Sequence, residues 1–116
     1  MTAEQRFIGV MSGTSLDGVD IVLADLSGSR PRLMATLYRA YPNELRQSLL
    51  ELHDPGHNEL HRAALLANAV TEQYASGILE LLAANGNPSV AAIGCHGQTL
   101  RHRPDLGYTI QLVNGA

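Results

Sequence analysis

The sequence predicts an α/β fold in which three antiparallel strands precede two helices and a further, buried strand. In the first forty residues, apolar side chains recur with period two, which is typical of half-buried strands. Between residues 43 and 84 the period lengthens to nearly four, the spacing of one helix face. An unbroken apolar run, VAAIGC, follows at residues 90–95 and predicts a central strand that is covered on both faces.

The period-two segments predict three short strands at residues 7–11, 19–26 and 32–41. The stretch SGSRP turns the chain between the second and third of them, and Pro42 ends the third. Strands that follow one another so closely pair with their neighbours in alternating directions. We therefore expect an antiparallel meander.

The two predicted helices each begin at an asparagine and present one apolar stripe. Asn43 caps the first, which Pro55 and Gly56 terminate, and its stripe is Leu45, Leu49 and Leu52. Asn58 caps the second, which NGNP at residues 85–88 ends, and its stripe is Leu60, Ala64, Ala67, Tyr74, Ile78 and Leu81.

The apolar run at 90–95 is reached through these helices, so we expect it to lie parallel to the first strand. The stretch HGQTLRHRPDLG, residues 96–107, reads as a polar loop at the carboxyl end of that strand, and residues 108–113 as one more strand. Open α/β sheets place ligand groups at such carboxyl ends.

Composition narrows the functional classes. The chain has 116 residues, enough for one domain, and carries eleven acidic residues against eight basic ones for a net charge of −3. The bases are scattered, so we expect no nucleic-acid partner. All eight are arginines, which excludes a Walker A lysine or a Schiff-base lysine within this chain.

A single cysteine, Cys95, argues against a disulfide framework and is typical of a reducing compartment, so we expect a cytoplasmic location. The sequence contains no apolar run near the length of roughly 20 residues that a bilayer requires. We therefore expect no association with a membrane.

The stretch MSGTSLDGVD, residues 11–20, lies between the first two predicted strands and has two interpretations. Gly13 and Gly18 permit the positive φ values of a backbone nest for an anion, with Asp17 and Asp20 beside it as ligands for a divalent cation. Alternatively, the stretch is a hairpin turn, since glycine, serine and aspartate dominate turns. The seven residues 12–18 exceed the two to five of a minimal hairpin, which favours a binding loop.

A second polar cluster, CHGQTLRHRP, follows the apolar run. Gln98 and Thr99 offer donors and acceptors for sugar hydroxyls, and Arg101 or Arg103 offers a planar fork for a carboxylate or phosphate. Equally, His96 caps the strand and the arginines are only solvated. The residues alone leave both interpretations open.

The stretches GVMSGTSLDGVDIVLADL, GCHGQTLRHRP and TIQLVNGA together resemble the amino-terminal part of the anhydro-N-acetylmuramic acid kinases. The resemblance runs from Phe7 to the last residue, is most specific at the first stretch, and is generic through the helices. It implies a ribonuclease H-like core of the sugar kinase, actin and heat-shock ATPase superfamily. Residues 1–116 would then form the first part, an incomplete half-domain, of the first of two lobes.

By the same resemblance, the first stretch binds the phosphates of ATP and the second lines the sugar pocket. The residues so assigned to ATP are Gly13, Thr14, Ser15, Leu16, Asp17, Gly18, Val19 and Asp20. Those assigned to the anhydro sugar are His96, Gly97, Gln98, Thr99, Arg101 and His102. Mg²⁺ accompanies ATP, and Asp17 and Asp20 are the local candidates for binding it, because Met11 stands where the wider superfamily commonly has an acidic residue.

The resemblance also implies a reaction and a setting. Family enzymes use ATP to cleave the 1,6-anhydro bond of 1,6-anhydro-N-acetylmuramic acid and phosphorylate O6 during peptidoglycan recycling, and a homodimer is favoured. The catalytic base and second phosphate loop are expected beyond Ala116, so we expect these 116 residues alone to be inactive. A non-catalytic nucleotide-binding or interaction module with the same core is the alternative.

Overall fold

The computed structural model describes residues 5–13 and 15–116. The chain begins with strands β1 (Arg6–Ser12), β2 (Gly18–Asp25) and β3 (Arg32–Ala40). β1 pairs with β2 and β2 with β3, both antiparallel, so the predicted meander is confirmed.

The predicted helices are confirmed as α1 (Asn43–Glu51) and α2 (Glu59–Ala84). The predicted cap position is wrong for Asn43 and confirmed for Asn58. Asn43 is already the first helical residue and Pro42 is the cap, because its φ of −56° and extended ψ suit the residue before a helix. Asn58 occupies the cap of α2 in a left-handed conformation, from which its side chain makes no capping hydrogen bond.

The hydrophobic core lies between the helices and one face of the sheet. Strand side chains at alternate positions, such as Ile8, Val10 and Ile21, point into it. In α2, Tyr74, Ile78 and Leu81 are buried as predicted, whereas Leu60 is 85% exposed and Ala64 is exposed. The first turns of α2 lie beside an open groove near the carboxyl-terminal hairpin instead of over the sheet, which is why the stripe is only partly buried.

The apolar run forms β4 (Ala92–Cys95), which pairs parallel with β1 as predicted. Its predicted burial on both faces is wrong, since all four residues are exposed. The sheet order is β3-β2-β1-β4, so β4 is an edge strand, and α2 packs chiefly on β2 and β3. In the part of the chain that the structure describes, no second neighbour pairs with β4.

The stretch read as a polar loop contains a strand, and that part of the prediction is wrong. Gln98–Arg103 forms β5, which pairs antiparallel with β6 (Tyr108–Leu112) through a 3₁₀ turn at Pro104–Leu106. Buried Gln98 and Leu100 alternate with more exposed polar neighbours, a pattern that the polar composition conceals. Neither helix in the described residues is long and apolar enough to cross a membrane.

Candidate functional site

The loop between β1 and β2 comprises residues 13–17 by the bounds of the two strands. Pairing between these strands ends at Ser12 opposite Val19, because Gly18 pairs with Ala40 of β3. Six residues, 13–18, therefore separate the last pair, one fewer than the predicted seven and still more than the two to five of a minimal hairpin. The case for a binding loop must come from the groups that the loop leaves available.

The left-handed residue of the loop is Leu16, with φ of 62°, and not a glycine. The expected positive φ at Gly13 and Gly18 is wrong, because neither is among the glycines with that conformation. Leucine adopts positive φ rarely, and here its side chain is fixed in the core with 3% of its surface exposed. Gly18 is needed for another reason: a Cβ there would collide with the Arg39 carbonyl oxygen and lie 2.9 Å from the Ala40 Cα.

Two carbonyl groups of the loop accept hydrogen bonds from residues outside it. The carbonyl of Gly13 accepts a hydrogen bond of 2.9 Å from Gln98 Nε2, and that of Asp17 accepts one of 2.9 Å from the Tyr41 amide. Among the described residues, no backbone hydrogen bond is donated by the amides of Gly13, Leu16 and Asp17. Backbone amides of a bent loop are the groups that bind a phosphate.

A buried chain of hydroxyl groups lies beneath the loop. Ser12 Oγ is 2.8 Å from the Tyr41 hydroxyl and 2.6 Å from the Tyr74 hydroxyl, which is 3.0 Å from the His96 carbonyl oxygen. Each hydroxyl has one proton, and the carbonyl only accepts. All three contacts are hydrogen bonds in only one arrangement: Tyr41 donates to Ser12, Ser12 to Tyr74, and Tyr74 to His96.

The ends of β1 and β4 meet the β5–β6 hairpin around a cavity of about 440 Å³, which we call the junction cavity. It brings Gly13 of the first sequence block together with His96, Thr99 and His102 of the second. The other lining residues are Met11, Ser12, Thr109 and Gln111. The lining offers hydroxyl, imidazole and amide groups and no carboxylate, a combination suited to a ligand with many hydroxyl groups.

Other residues of the second block lie outside the lining. Gly97 packs against the hairpin, where a Cβ would lie 3.0 Å from the Leu112 carbonyl oxygen, and the Gln98 side chain is fully buried. Arg101 turns away and binds the Glu59 carboxylate at 2.6 Å. The Arg101 guanidinium holds the pKa of the Glu59 carboxyl below its ordinary value. This ion pair connects β5 to the first turn of α2.

The remaining residues that the resemblance assigns to ATP differ in exposure. Ser15 is exposed, whereas the side chains of Leu16 and Val19 are buried in the core, so a ligand can meet only the backbone of those two. Thr14 lies outside the described residues.

The two metal candidates occupy different surroundings. Asp17 is exposed and lies 3.6 Å from the Arg46 guanidinium. Asp20 is exposed in β2, lines a separate cavity of about 460 Å³ beside Gly9, Gly94 and His96, and makes no ion pair within the described residues. Mg²⁺ in nucleotide sites takes one or two carboxylates together with water and phosphate oxygens, a requirement that Asp20 fits better than Asp17.

The sequence of this chain is similar to those of known proteins. Residues 5–116 match the family described as anhydro-N-acetylmuramic acid kinase. The chain belongs to this family. Curated relatives of that name include one from Nitrosospira multiformis, 55% identical over 112 residues that make up 93% of this chain and 31% of the relative. Another, from Thiobacillus denitrificans, is 52% identical over 97% of this chain and 30% of its own length. The chain thus spans less than a third of these relatives.

The hydroxyl chain of Tyr41, Ser12 and Tyr74 in this family member is a feature that the sequence did not predict. Ser12 stands at an inward position of β1 after Ile8 and Val10, where an apolar residue is expected. Tyr74 was assigned to the apolar stripe of α2, although a tyrosine that is fully buried usually needs a hydrogen-bond partner. A polar group at a core position is the signal that could have identified them.

The hydroxyl chain predicts that the folded chain is sensitive to alkaline pH. Burial raises the pKa of both Tyr41 and Tyr74 above the ordinary value of 10.0. In the unfolded chain these phenols lose their protons first, so their contribution to stability is complete below pH 10.0 and is lost as pH rises further. We expect the urea midpoint to fall as pH rises from about 10 to about 11.5, above the ordinary pKa of the phenols. A Tyr41→Phe variant should show a shallower fall, whereas Tyr38→Phe, which removes an exposed phenol, should match the wild type.

Proposed function

We propose that this chain carries the ATP-phosphate loop and part of the sugar pocket of an anhydro-N-acetylmuramic acid kinase acting in cytoplasmic peptidoglycan recycling. The loop at residues 13–17 would bind the phosphates of ATP through its backbone amides. The junction cavity would hold the anhydro sugar against it. The observation that supports this most is the junction cavity, whose lining includes Gly13 of the first block and His96 and Thr99 of the second.

The proposed reaction balances as one hydrolysis and one phosphoryl transfer. A water oxygen bonds to the anomeric carbon, the bond from that carbon to O6 breaks, and O6 takes the γ-phosphoryl group, releasing ADP and N-acetylmuramic acid 6-phosphate. A general base must accept the proton of the water. The lining of the junction cavity offers no carboxylate for this task, so we assign no base among these residues and place it elsewhere in the full-length protein.

The roles of the cavity residues are binding and orientation. Thr99 and Thr109 would donate and accept hydrogen bonds with sugar hydroxyls, and His96 and His102 would add imidazole nitrogens. Mg²⁺, when bound with ATP, neutralises phosphate charge during transfer, and Asp20 is the residue we propose for its water shell.

The direct test is a reaction of the full-length protein with ATP, Mg²⁺ and 1,6-anhydro-N-acetylmuramic acid. We expect equal amounts of ADP and a sugar phosphate whose mass exceeds that of the substrate by one water and one phosphoryl group. ADP release that does not depend on the sugar, or nucleotide binding without turnover, would contradict the kinase and favour a nucleotide-binding module.

A substitution at Gly13 tests the phosphate loop separately. Apart from its chain neighbours, the nearest described atom to a Cβ at Gly13 would be Ser15 Oγ at 3.7 Å. Gly13→Val is therefore expected to fold, while its side chain obstructs the amides. We expect the Kd for a non-hydrolysable ATP analogue with Mg²⁺ to rise about tenfold or more, because one or more charge-assisted hydrogen bonds are lost. Calorimetric titration of the full-length protein measures this.

The matched control for Gly13→Val is Gly28→Val in the turn between β2 and β3. A Cβ at Gly28 also has room, with the Arg30 carbonyl oxygen at 3.8 Å as its nearest contact. We expect nucleotide affinity within twofold of wild type for this control. Equal affinity for the Gly13→Val variant and the control would remove the phosphate loop from the proposed function.

A further inference from the structure

Gln98 differs from its neighbours in the second block by being enclosed in protein. Its side chain is fully buried, whereas His96 and Thr99 on either side line the junction cavity. Gln98 Nε2 donates to the Gly13 carbonyl at 2.9 Å and to the Thr99 carbonyl at 3.2 Å. Both protons of the amide are thus used inside the protein.

The other end of the same amide is also shielded. Gln98 Oε1 has no accessible surface and no hydrogen-bond partner among the described residues. A ligand in the junction cavity therefore has no route to either end of this side chain without displacing protein. This excludes a direct sugar contact in the arrangement seen here, although the sequence pattern favours one.

What Gln98 does contact is the backbone on both sides of the candidate site. One carbonyl belongs to the β1–β2 loop and the other to β5, where Thr99 faces the cavity. The segment before it is also fixed, because the His96 amide donates to Val10 at 2.8 Å and the His96 carbonyl accepts from Tyr74. A shift of residues 96–99 must therefore move the Gln98 amide and, through it, the loop at Gly13.

We propose that Gln98 is a positioning residue that makes nucleotide binding at the loop and sugar binding at the cavity mutually dependent. This rests on the proposed function, because it takes the loop and the cavity to be the two substrate sites. A ligand that holds residues 96–99 in place favours the loop conformation with Gly13 bound to Gln98, and the reverse follows by thermodynamic reciprocity. Without the amide donor, each site binds its ligand independently.

The test compares nucleotide affinity with and without sugar in the full-length protein. A non-hydrolysable ATP analogue with Mg²⁺ is titrated calorimetrically in the absence and presence of saturating anhydro sugar. For wild type we expect the sugar to lower the Kd of the analogue by about fivefold or more, the lower end of typical coupling between sites. For Gln98→Met, which keeps the volume and removes the donor, we expect the ratio to fall to about one, within a twofold error.

A second readout separates positioning from direct contact and from misfolding. We expect Gln98→Met to raise the KM for ATP while the Kd for the sugar without nucleotide stays within twofold of wild type. Gln98→Glu, which places an ionisable acceptor against the Gly13 carbonyl, serves as a second variant if the first does not fold. The control is Gln47→Met on the exposed side of α1, which should keep wild-type coupling.

Each outcome bears on one claim. A Gln98 variant that keeps the wild-type ratio, or that loses sugar affinity without nucleotide, overturns the positioning role, and so does a wild-type ratio of one in an active enzyme. A wild-type protein that phosphorylates no anhydro sugar overturns the proposed function instead.

Discussion

Replacing Gly18 by alanine is expected to destabilise the protein by about 3 kcal/mol, near the upper end of the usual cost of overpacking. The added Cβ would collide with the Arg39 carbonyl oxygen and lie 2.9 Å from the Ala40 Cα. These are backbone atoms of β3, so no rotamer change relieves the contact. The strands must separate at the point where the loop enters β2, and urea unfolding of the full-length protein should show the loss.

Gly13→Ala is the matched control for Gly18→Ala, because it adds the same methyl group at the other end of the loop. Apart from its chain neighbours, the nearest described atom to its Cβ would be Ser15 Oγ, at 3.7 Å. We expect the free energy of unfolding to stay within about 0.5 kcal/mol of wild type, as for most substitutions that cause no clash. Equal free energies of unfolding for the two variants would contradict a clash between a Cβ at Gly18 and the backbone of β3.

Removing the Tyr74 hydroxyl should cost about 2 to 3 kcal/mol, because it leaves two buried groups unpaired at once. In Tyr74→Phe the His96 carbonyl loses its donor, and Ser12 loses the acceptor for its proton. Both lie in a buried or partly buried site where an unpaired polar group is expensive. Denaturant unfolding of the full-length protein measures the change.

Tyr41→Phe is the comparison that tests the direction of the hydroxyl chain. The Tyr41 hydroxyl only donates in this chain. Without it, Ser12 still donates to Tyr74, and no hydroxyl proton is left without an acceptor. We expect a cost of about 1 kcal/mol, the net value of one hydrogen bond. A cost for Tyr41→Phe equal to that for Tyr74→Phe would mean that the protons are arranged differently.

Much of the fold follows from local pattern. Period-two segments gave the three-strand meander, and the switch to period near four gave both helices, because each signal is a property of a single element. The parallel pairing of β4 with β1 also followed, since a helical crossover leaves little choice. The predicted cap at Asn43 failed because Pro42, whose fixed φ suits the residue before a helix, takes that position. Asn58 is the cap of α2 as predicted, but its left-handed backbone leaves its side chain without a capping hydrogen bond.

The errors concern relations between elements. VAAIGC at 90–95 reads as a buried strand, yet β4 is exposed at the edge of the sheet. The composition of a strand does not encode which other elements cover it. The second block reads as a loop because polar side chains dominate β5. Its two buried residues, Gln98 and Leu100, are too few to show a clear period of two.

By resemblance, the sequence assigns Gly13 to the phosphates of ATP and His96, Thr99 and His102 to the sugar, and both assignments stay predictions. The structure places these four residues around one cavity. The sequence did not show that Gln98 faces the protein or that Arg101 is engaged by Glu59. Which direction a side chain turns depends on packing partners that lie dozens of residues away.

The left-handed Leu16 has a consequence for how quickly a ligand is captured. Its side chain is fixed in the core, and the neighbouring Asp17 carbonyl is held by the Tyr41 amide, so residues 15–17 acquire their shape when the protein folds. If this loop binds phosphate as proposed, the entropy of ordering residues 15–17 is lost before the anion arrives. Association would then be limited by diffusion and charge, without a slow rearrangement of the backbone.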